Sequence, residues 1–346
     1  MNIQQLFGIE LPIVQAPMAG VQTGAMAVAV SNAGGLGSLP CAMLTPDGLR
    51  SELQLITAQT SRPYNLNFFC HVPPTPDAAR EAKWHAALAP YYAELGIDAS
   101  SVPAGGGRAP FSADIADLIE PFRPPVLSFH FGLPPPDLLA RVKRWGSKVL
   151  ASATTVEEAR WLEAHGADVV IAQGLEAGGH RGIFLSDDLS TQIGTMALVP
   201  QVVRAVKLPV IAAGGIADRE GVVAALGLGA AGVQVGTSYL LCAEATTTAL
   251  HRAALKSARA EHTVLTNLIT GRPARGILNR LMKELGPLSD APPAFPLATA
   301  ALMPLKAAAE KLGRDDFSTL WSGQNASGCR EIPAAELTRL LAGMVD

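Results

Sequence analysis

A glycine-rich loop that carries one histidine is the part of the sequence best suited to chemistry. Residues 173–182 read QGLEAGGHRG and hold four glycines in ten positions, so the backbone can lie close against a flat or charged group. His180 stands at the tip of this loop, where an imidazole can act as an acid, a base or a hydrogen-bond donor near neutral pH. An isolated surface histidine is the plain alternative, and the flanking glycines favour a functional role for His180.

Two further segments have the composition of an anion site. Gly214 and Gly215 follow the apolar run VIAA, and Gly236 and Thr237 follow the run GVQV. Glycine lets backbone N–H groups approach an anion closely, and the start of a following helix favours negative charge. These four residues predict a site for a phosphate-bearing ligand. The alternative is that the glycines only form tight turns.

Three other places give weaker signals. Asn67 lies in the apolar run NLNFF, where an amide needs a partner, and we predict that it binds a ligand. His130 ends the run VLSFH and is either a ligand contact or a packed histidine bonded to a backbone carbonyl. After the first apolar run, the backbone either lies against a planar ring or forms a plain turn. The residues concerned are Ala16, Pro17 and Met18.

The hydrophobic pattern predicts an α/β scaffold for these residues. Eight short apolar runs recur, and runs without alternation are typical of parallel strands covered on both faces. The runs are residues 13–16, 35–38, 64–69, 126–129, 148–151, 168–172, 210–213 and 232–235. With helical patterns between them, they match a (β/α)8 TIM barrel, in which function collects where the strands end. An open, doubly wound sheet fits the same count.

The predicted barrel takes up most of the chain, and two segments depart from its repeat. The barrel is predicted over residues 1–242, with an insertion of about residues 71–113 after strand three. Residues 243–346 are predicted to form a mostly helical extension or lid that packs on the barrel. Thr155 and Asp218 are predicted N-caps of two barrel helices.

The remaining titratable residues predict little chemistry. His71 is expected to be structural or solvated, and the adjacent acids Glu157 and Glu158 are expected on a solvated face or at a helix cap. The run RPAR at residues 272–275 is expected to meet the barrel or an anionic ligand. No HxH, HExxH or cysteine cluster occurs, so no metal site is predicted. The four cysteines form no CxxC pair and are expected to be reduced thiols of a cytoplasmic protein.

Composition excludes several classes of function. The 346 residues are 49% hydrophobic and 16% charged, which rules out a disordered chain. With 27 basic and 30 acidic residues, the net charge of −3 does not favour a nucleic-acid partner. The N-terminus lacks the basic and apolar regions of a signal peptide. Residues 222–243 carry no charge, but four glycines interrupt them, so we predict a buried helix and strand and no membrane partner.

With these residues in hand, the chain resembles the nitronate monooxygenase family, formerly called 2-nitropropane dioxygenases. The matching motifs run in order along the chain: QAPMAG, SNAGGLG, NLNFF, SFHFGLP, KVLASATTVEEA, IAQGLEAGGHRG, PVIAAGGIADREG, GVQVGTSYLLCAE, TGRPARGI and LWSGQ. The last two are similar to the bacterial class I branch. The resemblance implies a TIM barrel that holds one non-covalent FMN, as a monomer or homodimer.

The resemblance also implies roles for individual residues. It places the flavin phosphate at the two glycine segments already named and the flavin ring against residues 16–18. The residues around the ring would be Asn67, Gln173, Gly178, Gly179 and Gln324. His180 matches the family's active-site histidine, and His130 matches a second histidine near the flavin.

The reaction implied is oxidation of an alkyl nitronate, such as propionate 3-nitronate, by O₂ to a carbonyl compound and nitrite. A neutral nitroalkane would be used if His180 served as a base. The alternatives are an NAD(P)H-dependent flavin reductase of the enoyl-acyl-carrier-protein or quinone type, and a barrel that binds flavin or phosphate without redox turnover. Where the family tends to place tyrosines and a basic residue, this chain has Phe295 and Thr299 with Lys306 further on, so its substrate pocket is expected to differ.

Overall fold

A parallel eight-stranded sheet forms the centre of the protein, which is described by a computed structural model over residues 2–98, 102 and 108–344. Its strands, in chain order, are β1 (Ile13–Gln15), β2 (Gly37–Pro40), β3 (Tyr64–Phe69), β4 (Val126–His130), β5 (Lys148–Ala153), β6 (Val169–Gln173), β8 (Val210–Ala213) and β9 (Gly232–Val235). Their spatial order is β1-β9-β8-β6-β5-β4-β3-β2. Leu36 joins the two edges, because its N–H donates to Ile13 O and its carbonyl accepts from Gln15 N, both at 2.9 Å. The predicted (β/α)8 barrel is confirmed.

Helices surround the barrel, close its lower end or belong to the segments outside it. They are α1 (Ile3–Phe7), α2 (Gly24–Asn32), α3 (Pro46–Gln59), α4 (Ala78–Glu94), α5 (Ala113–Ile119), α6 (Pro136–Arg144), α7 (Val156–Ala164), α8 (Thr195–Ala205), α9 (Arg219–Gly227), α10 (Ala249–Leu255), α11 (Arg280–Leu285), α12 (Ala298–Lys311) and α13 (Ala334–Ala342). Thr155 and Asp218 cap α7 and α9 through their side chains, as predicted. The helix that completes the barrel is α13, which packs on α2 and α9. Thr338 of this helix bonds Tyr239 of the barrel at 2.9 Å.

The interior of the barrel is closed from below by the N-terminal helix. Ile3 and Phe7 of α1 are buried with Val14, Leu36 and the inward residues of the other strands. Above this apolar plug, the inward positions turn polar toward the carboxyl ends of the strands, where the fold places its active sites.

The insertion and the extension share a second core. Trp84 and Tyr92 of α4 are buried against α12, and their Nε1 and hydroxyl groups donate to Ala298 O at 3.2 Å and Ala301 O at 2.6 Å. Residues 99–101 and 103–107 of the predicted insertion lie outside the described residues. No helix in the described part of the chain is long and apolar enough to cross a membrane. The predicted buried helix and strand of residues 222–243 correspond to α9 and β9.

A small antiparallel sheet ties the extension to the barrel. It consists of β7 (Gly179–His180), β10 (Thr263–Thr266) and β11 (Ala274–Ile277), with β11 in the middle. The register pairs Ala274 with His180 and Arg275 with Gly179. The glycine-rich loop after β6 is therefore held in a strand.

Candidate active site

Polar side chains line the upper interior of the barrel where neighbouring strands end. Asn67 Nδ2 donates to the hydroxyl of Ser128 at 2.9 Å, and Asn65 Nδ2 donates to the same hydroxyl at 2.9 Å. Both asparagines are buried. Asn67 thus has protein partners on its amide nitrogen, and its carbonyl oxygen keeps acceptor capacity for a ligand.

The backbone of His180 is fixed from below. Its carbonyl accepts from Gln173 Nε2 at 2.9 Å and from His130 Nε2 at 3.2 Å. Gln173 Oε1 in turn accepts from Gly182 N at 2.7 Å. Side chains at the ends of β4 and β6 therefore hold the chain at the His180 carbonyl and at Gly182, and they bring the predicted residues His180, His130 and Gln173 together.

The tautomer of His130 follows from its partners. A carbonyl can only accept, so Nε2 carries the proton, and Nδ1 accepts from the Ser152 hydroxyl at 3.0 Å. Burial lowers the pKa of His130 to about 4, so the ring is neutral at pH 7. This arrangement matches the packed histidine bonded to a backbone carbonyl. A direct contact between His130 and a ligand stays a prediction.

The ring of His180 faces an aromatic wall, defined here as Phe69, Phe131 and Phe295. Its centroid lies 6.1, 5.9 and 5.3 Å from these three rings. His180 Nε2 lies 2.9 Å from the hydroxyl of Thr270. Burial, followed by the positive charge of Arg108, holds the pKa of His180 well below its ordinary value, so the ring is neutral at pH 7.

The two predicted phosphate segments meet at the other side of the barrel mouth. Gly214 and Gly215 have φ of +118° and +72°, a region that favours glycine. Thr237 Oγ1 accepts from Gly323 N at 2.9 Å. The segment that contains Gln324 therefore covers this side, and Gln324 N donates to Glu176 O at 2.9 Å.

Neighbouring atoms lie so close to Gly236 and Gly178 that a side chain there would be crowded. A Cβ on Gly236 would lie 3.3 Å from Ala16 Cβ and 3.8 Å from Met18 Sδ, which places the Pro17 segment beside Gly236. A Cβ on Gly178 would lie 2.6 Å from the backbone nitrogen of Gly323, and that backbone cannot easily move. By contrast, a Cβ on Gly179 would meet nothing within 4 Å, although φ is +70° there.

A buried glutamine orients the segment that contains Met18. Gln22 Oε1 accepts from Met18 N at 2.9 Å and from Gln15 Nε2 at 2.7 Å, while Gln22 Nε2 donates to Ser38 O at 2.6 Å. No local pattern indicates this role for Gln22, because its partners lie up to sixteen residues away.

The solvated face expected for the two acids is wrong for Glu158, whereas the alternative of a helix cap agrees with its place in the first turn of α7. Glu158 is only 1% exposed, and its carboxylate accepts from Thr154 N, Phe184 N and Leu185 N at 2.6, 2.6 and 3.3 Å. It fastens the loop that follows His180, which no local pattern indicates. Its neighbour Glu157 is exposed, as expected.

Arg181 is a second residue that sequence reasoning left unassigned. Its guanidinium is fully buried and donates to Gly174 O at 2.6 Å, to Gln173 O at 2.8 Å and to Gln192 Oε1 at 3.0 Å. Arg181 therefore satisfies the backbone carbonyl groups at the end of β6. The only local sign that Arg181 belongs to the site is its position next to His180 in the motif HRG.

The late segment departs from the family pattern as expected at one position. Phe295 enters the site and contacts His180, whereas the Thr299 hydroxyl donates to Ile269 O at 3.1 Å. Lys306 lies 4.0 Å from Glu310. Residues 272–275 meet the barrel loops, because Arg275 Nε donates to Leu175 O at 2.9 Å. Within the described ranges no cluster of His, Cys, Asp or Glu could hold a metal ion, and the four cysteines are free.

The carboxyl ends of the barrel strands carry an imidazole, polar amides and a glycine cradle, defined here as Gly178, Gly214, Gly215 and Gly236. These features define a TIM-barrel enzyme. The family model "Nitronate monooxygenase" matches residues 2–343. The chain belongs to the nitronate monooxygenase family, and it is an oxidoreductase.

Individual relatives agree with this assignment. The chain is 44% identical to a nitronate monooxygenase of Pseudomonas aeruginosa over 340 residues, with 97% of each chain covered. It is 43% identical to a nitronate monooxygenase of Paraburkholderia phytofirmans, covering 97% of this chain and 92% of the relative. The solved structure of a nitroalkane oxidase from Streptomyces ansochromogenes has a TM-score of 0.89 at 39% identity, covering 99% and 97% of the two chains.

A more distant likeness bears on the alternatives. The solved structure of FabK from Thermotoga maritima has a TM-score of 0.73 at 27% identity, covering 99% of this chain and 96% of that one. The nitronate monooxygenase family is flavin-dependent in general.

Proposed function

We propose that this protein uses FMN to oxidise alkyl nitronates with O₂ to a carbonyl compound and nitrite. The observation that carries the proposal is the neutral, backbone-fixed His180 beside the glycine cradle. Oxidation of nitronates or nitroalkanes is supported by the names of the relatives in Pseudomonas and Streptomyces.

The residues present fit FMN. Gln234, on β9 beneath the Gly236 segment, has a buried Oε1 without a hydrogen-bond partner, and so does Asn65 at Oδ1. Buried polar atoms of this kind are rare and need a partner, which the polar edge of a flavin supplies. Gly214 and Gly215 present backbone that can approach a phosphate, as does the Gly236 segment.

The proposed contacts to FMN follow the predicted set. Its phosphate would bind at Gly214, Gly215, Gly236 and Thr237, and its ring would contact Ala16, Pro17, Met18, Asn67, Gln173, Gly178, Gly179 and Gln324. When bound, the flavin supplies the electron acceptor for nitronate oxidation and, once reduced, the reactant for O₂.

The protonation state of His180 decides whether the substrate binds as a nitronate or as a neutral nitroalkane. A general base works best with a pKa near the working pH. Because burial and the nearby positive charges lower the pKa of His180, it is a weak base for a neutral nitroalkane. A neutral imidazole can instead donate a hydrogen bond to a nitronate oxygen, with Thr270 fixing the ring. We therefore propose a preformed nitronate as substrate.

The experiment is a pair of histidine variants. His180→Ala should retain FMN but lose most of its kcat/KM for a nitronate, since its backbone contacts remain while the ring is lost. His262→Ala, at an exposed position, is the matched control and should match the unaltered protein. Unchanged kcat/KM in His180→Ala would remove this histidine from the mechanism.

A flavin reductase driven by NAD(P)H is the second candidate. The likeness to FabK of Thermotoga maritima favours it. Rapid bleaching of the bound flavin by NADH or NADPH under argon would support this function, and persistence of the yellow colour would exclude it.

A further inference from the structure

Part of the C-terminal extension lies over both predicted phosphate segments. This covering segment, defined here as residues 323–329, bonds to each of them. Gly323 N donates to the hydroxyl of Thr237 at 2.9 Å. Asn325 Nδ2 donates to Gly215 O at 3.1 Å. The covering segment is therefore joined by hydrogen bonds to the loops that follow two neighbouring barrel strands.

The covering segment also fits closely against the barrel. A Cβ on Gly328 would lie 1.9 Å from Ala217 O and 2.6 Å from Ser238 Oγ, so a side chain there would collide with the barrel backbone. At the end of the segment, the Cys329 thiol donates to Thr237 O at 3.0 Å. The covering segment is thus held at both of its ends.

The orientation of the Asn325 amide follows from its partners. Asn325 Oδ1 accepts from Ser327 N at 3.1 Å and from the Ser327 hydroxyl at 2.6 Å. A backbone N–H can only donate, so the amide oxygen must face Ser327 and the NH₂ group must face Gly215 O. Turns of this kind are typical of asparagine. Asn325 is therefore fixed as a hydrogen-bond donor to the glycine loop.

Two successive peptide groups of that loop are oriented by side chains from elsewhere. In a trans peptide the C=O and N–H groups point in opposite directions. Because Gly215 O faces Asn325, the N–H of Ile216 points away from Asn325. Thr195 Oγ1 lies 2.9 Å from Gly214 O, so the N–H of Gly215 likewise points away from Thr195. Neither of these N–H groups has a hydrogen-bond acceptor among the described residues.

The two N–H groups have the properties of an anion site. Successive backbone N–H groups at residues with positive φ form concave sites for anions, and φ is +118° at Gly214 and +72° at Gly215. A phosphate group has several acceptor oxygens and can accept from both N–H groups. The side chains that hold the two carbonyl groups therefore help to make this loop a phosphate site.

We propose that Asn325 is a positioning residue for the phosphate of the flavin. Asn325 acts through the peptide between Gly215 and Ile216, whose N–H it turns toward the phosphate. This inference rests on the proposed binding of FMN, and it extends cofactor recognition to a side chain of the C-terminal extension. Since coupling between two binding events is reciprocal, the bound phosphate must also stabilise the covering segment.

The test compares FMN with riboflavin, which has the same ring system but no phosphate. Dissociation constants of both flavins are measured by fluorescence titration of the full-length, flavin-free protein and of its variants. Asn325→Ala should weaken FMN binding about tenfold and riboflavin binding by less than about twofold, because only the phosphate site loses an orienting hydrogen bond.

A second variant and a control separate this role from local folding. Asn325→Asp retains an acceptor for Ser327 but turns an oxygen toward Gly215 O, so FMN binding should weaken at least as much as in Asn325→Ala. Asn32→Ala, at an exposed position at the end of α2, is the control and should bind both flavins as the unaltered protein does.

Hydrogen exchange measures the reciprocal effect on the covering segment. At saturation, FMN should slow amide exchange in residues 323–329 of the unaltered protein more than riboflavin does. In Asn325→Ala this difference between the two flavins should disappear. Equal protection by the two flavins in the unaltered protein would contradict the coupling.

The outcomes separate failure of this inference from failure of the proposed function. An unaltered protein that binds neither flavin defeats the proposed FMN chemistry. An unaltered protein that binds FMN and riboflavin equally well overturns the positioning role and leaves flavin-dependent oxidation standing. An equal loss of affinity for both flavins in Asn325→Ala, or normal FMN binding in either variant, also overturns the positioning role, because Asn325 would then serve only the fold.

Discussion

Glu158 should be a principal support of the loop that follows His180. In Glu158→Gln the side chain keeps its shape but replaces one acceptor oxygen with an NH₂ group. If the remaining oxygen stays on Phe184 N and Leu185 N, the N–H of Thr154 faces a donor and loses its 2.6 Å bond. A buried N–H without an acceptor costs about 1–3 kcal/mol, and each retained bond loses about 1 kcal/mol of charge assistance. We expect a loss of about 3–5 kcal/mol in the free energy of unfolding.

The assay is urea unfolding of the holoenzyme, followed by tryptophan fluorescence, with Glu157→Gln as the control. Glu157 is exposed in the same first turn of α7, so its substitution removes the same charge without the buried bonds and should change stability little. Equal stability of the two variants would refute the role assigned to Glu158.

Two further predictions concern protonation and cofactor binding. The pKa of His130 is about 4 in the folded protein and ~6.5 when unfolded. Between these values the unfolded chain binds the extra proton, so stability falls with falling pH by up to about 1.4 kcal/mol per unit. His130→Gln should flatten this dependence in unfolding curves measured from pH 7 to 4, and an unaltered slope would show that His130 is not held neutral. Gly178→Ala would place a Cβ 2.6 Å from Gly323 N and should weaken FMN binding at least tenfold in a fluorescence titration. The control Gly227→Ala, where a Cβ meets nothing within 4 Å, should bind FMN normally, and equal affinity would contradict the cradle.

The barrel was predictable because its strands are buried on both faces. Uninterrupted apolar runs such as VLSFH and VIAA mark such strands without reference to distant residues. Helix caps such as Thr155 were equally predictable, because they depend only on neighbouring residues. The assembly of β7 with β11 was not predictable in this way, since His180 pairs with a residue 94 positions later, Ala274.

The residues of the candidate site also divide into those that local sequence indicates and those that depend on distant partners. His180 and the glycines at 214 and 215 stood out because their types and spacing are unusual within a few residues. Gln22 and Glu158 were missed, since each acts through partners distant in sequence. His71 was expected to be structural or solvated, and it is buried beside three aromatic rings that come from separate segments, which agrees with the structural alternative.

The central claim is that the protein oxidises nitronates with O₂ without a nicotinamide. The most direct test is oxygen uptake and nitrite release by the purified, FMN-loaded protein given propionate 3-nitronate, with no NADH or NADPH present. We predict rapid oxygen consumption together with nitrite production. Absence of both from a protein that retains its flavin, combined with fast bleaching of that flavin by NADH or NADPH under argon, would contradict the account and establish a reductase.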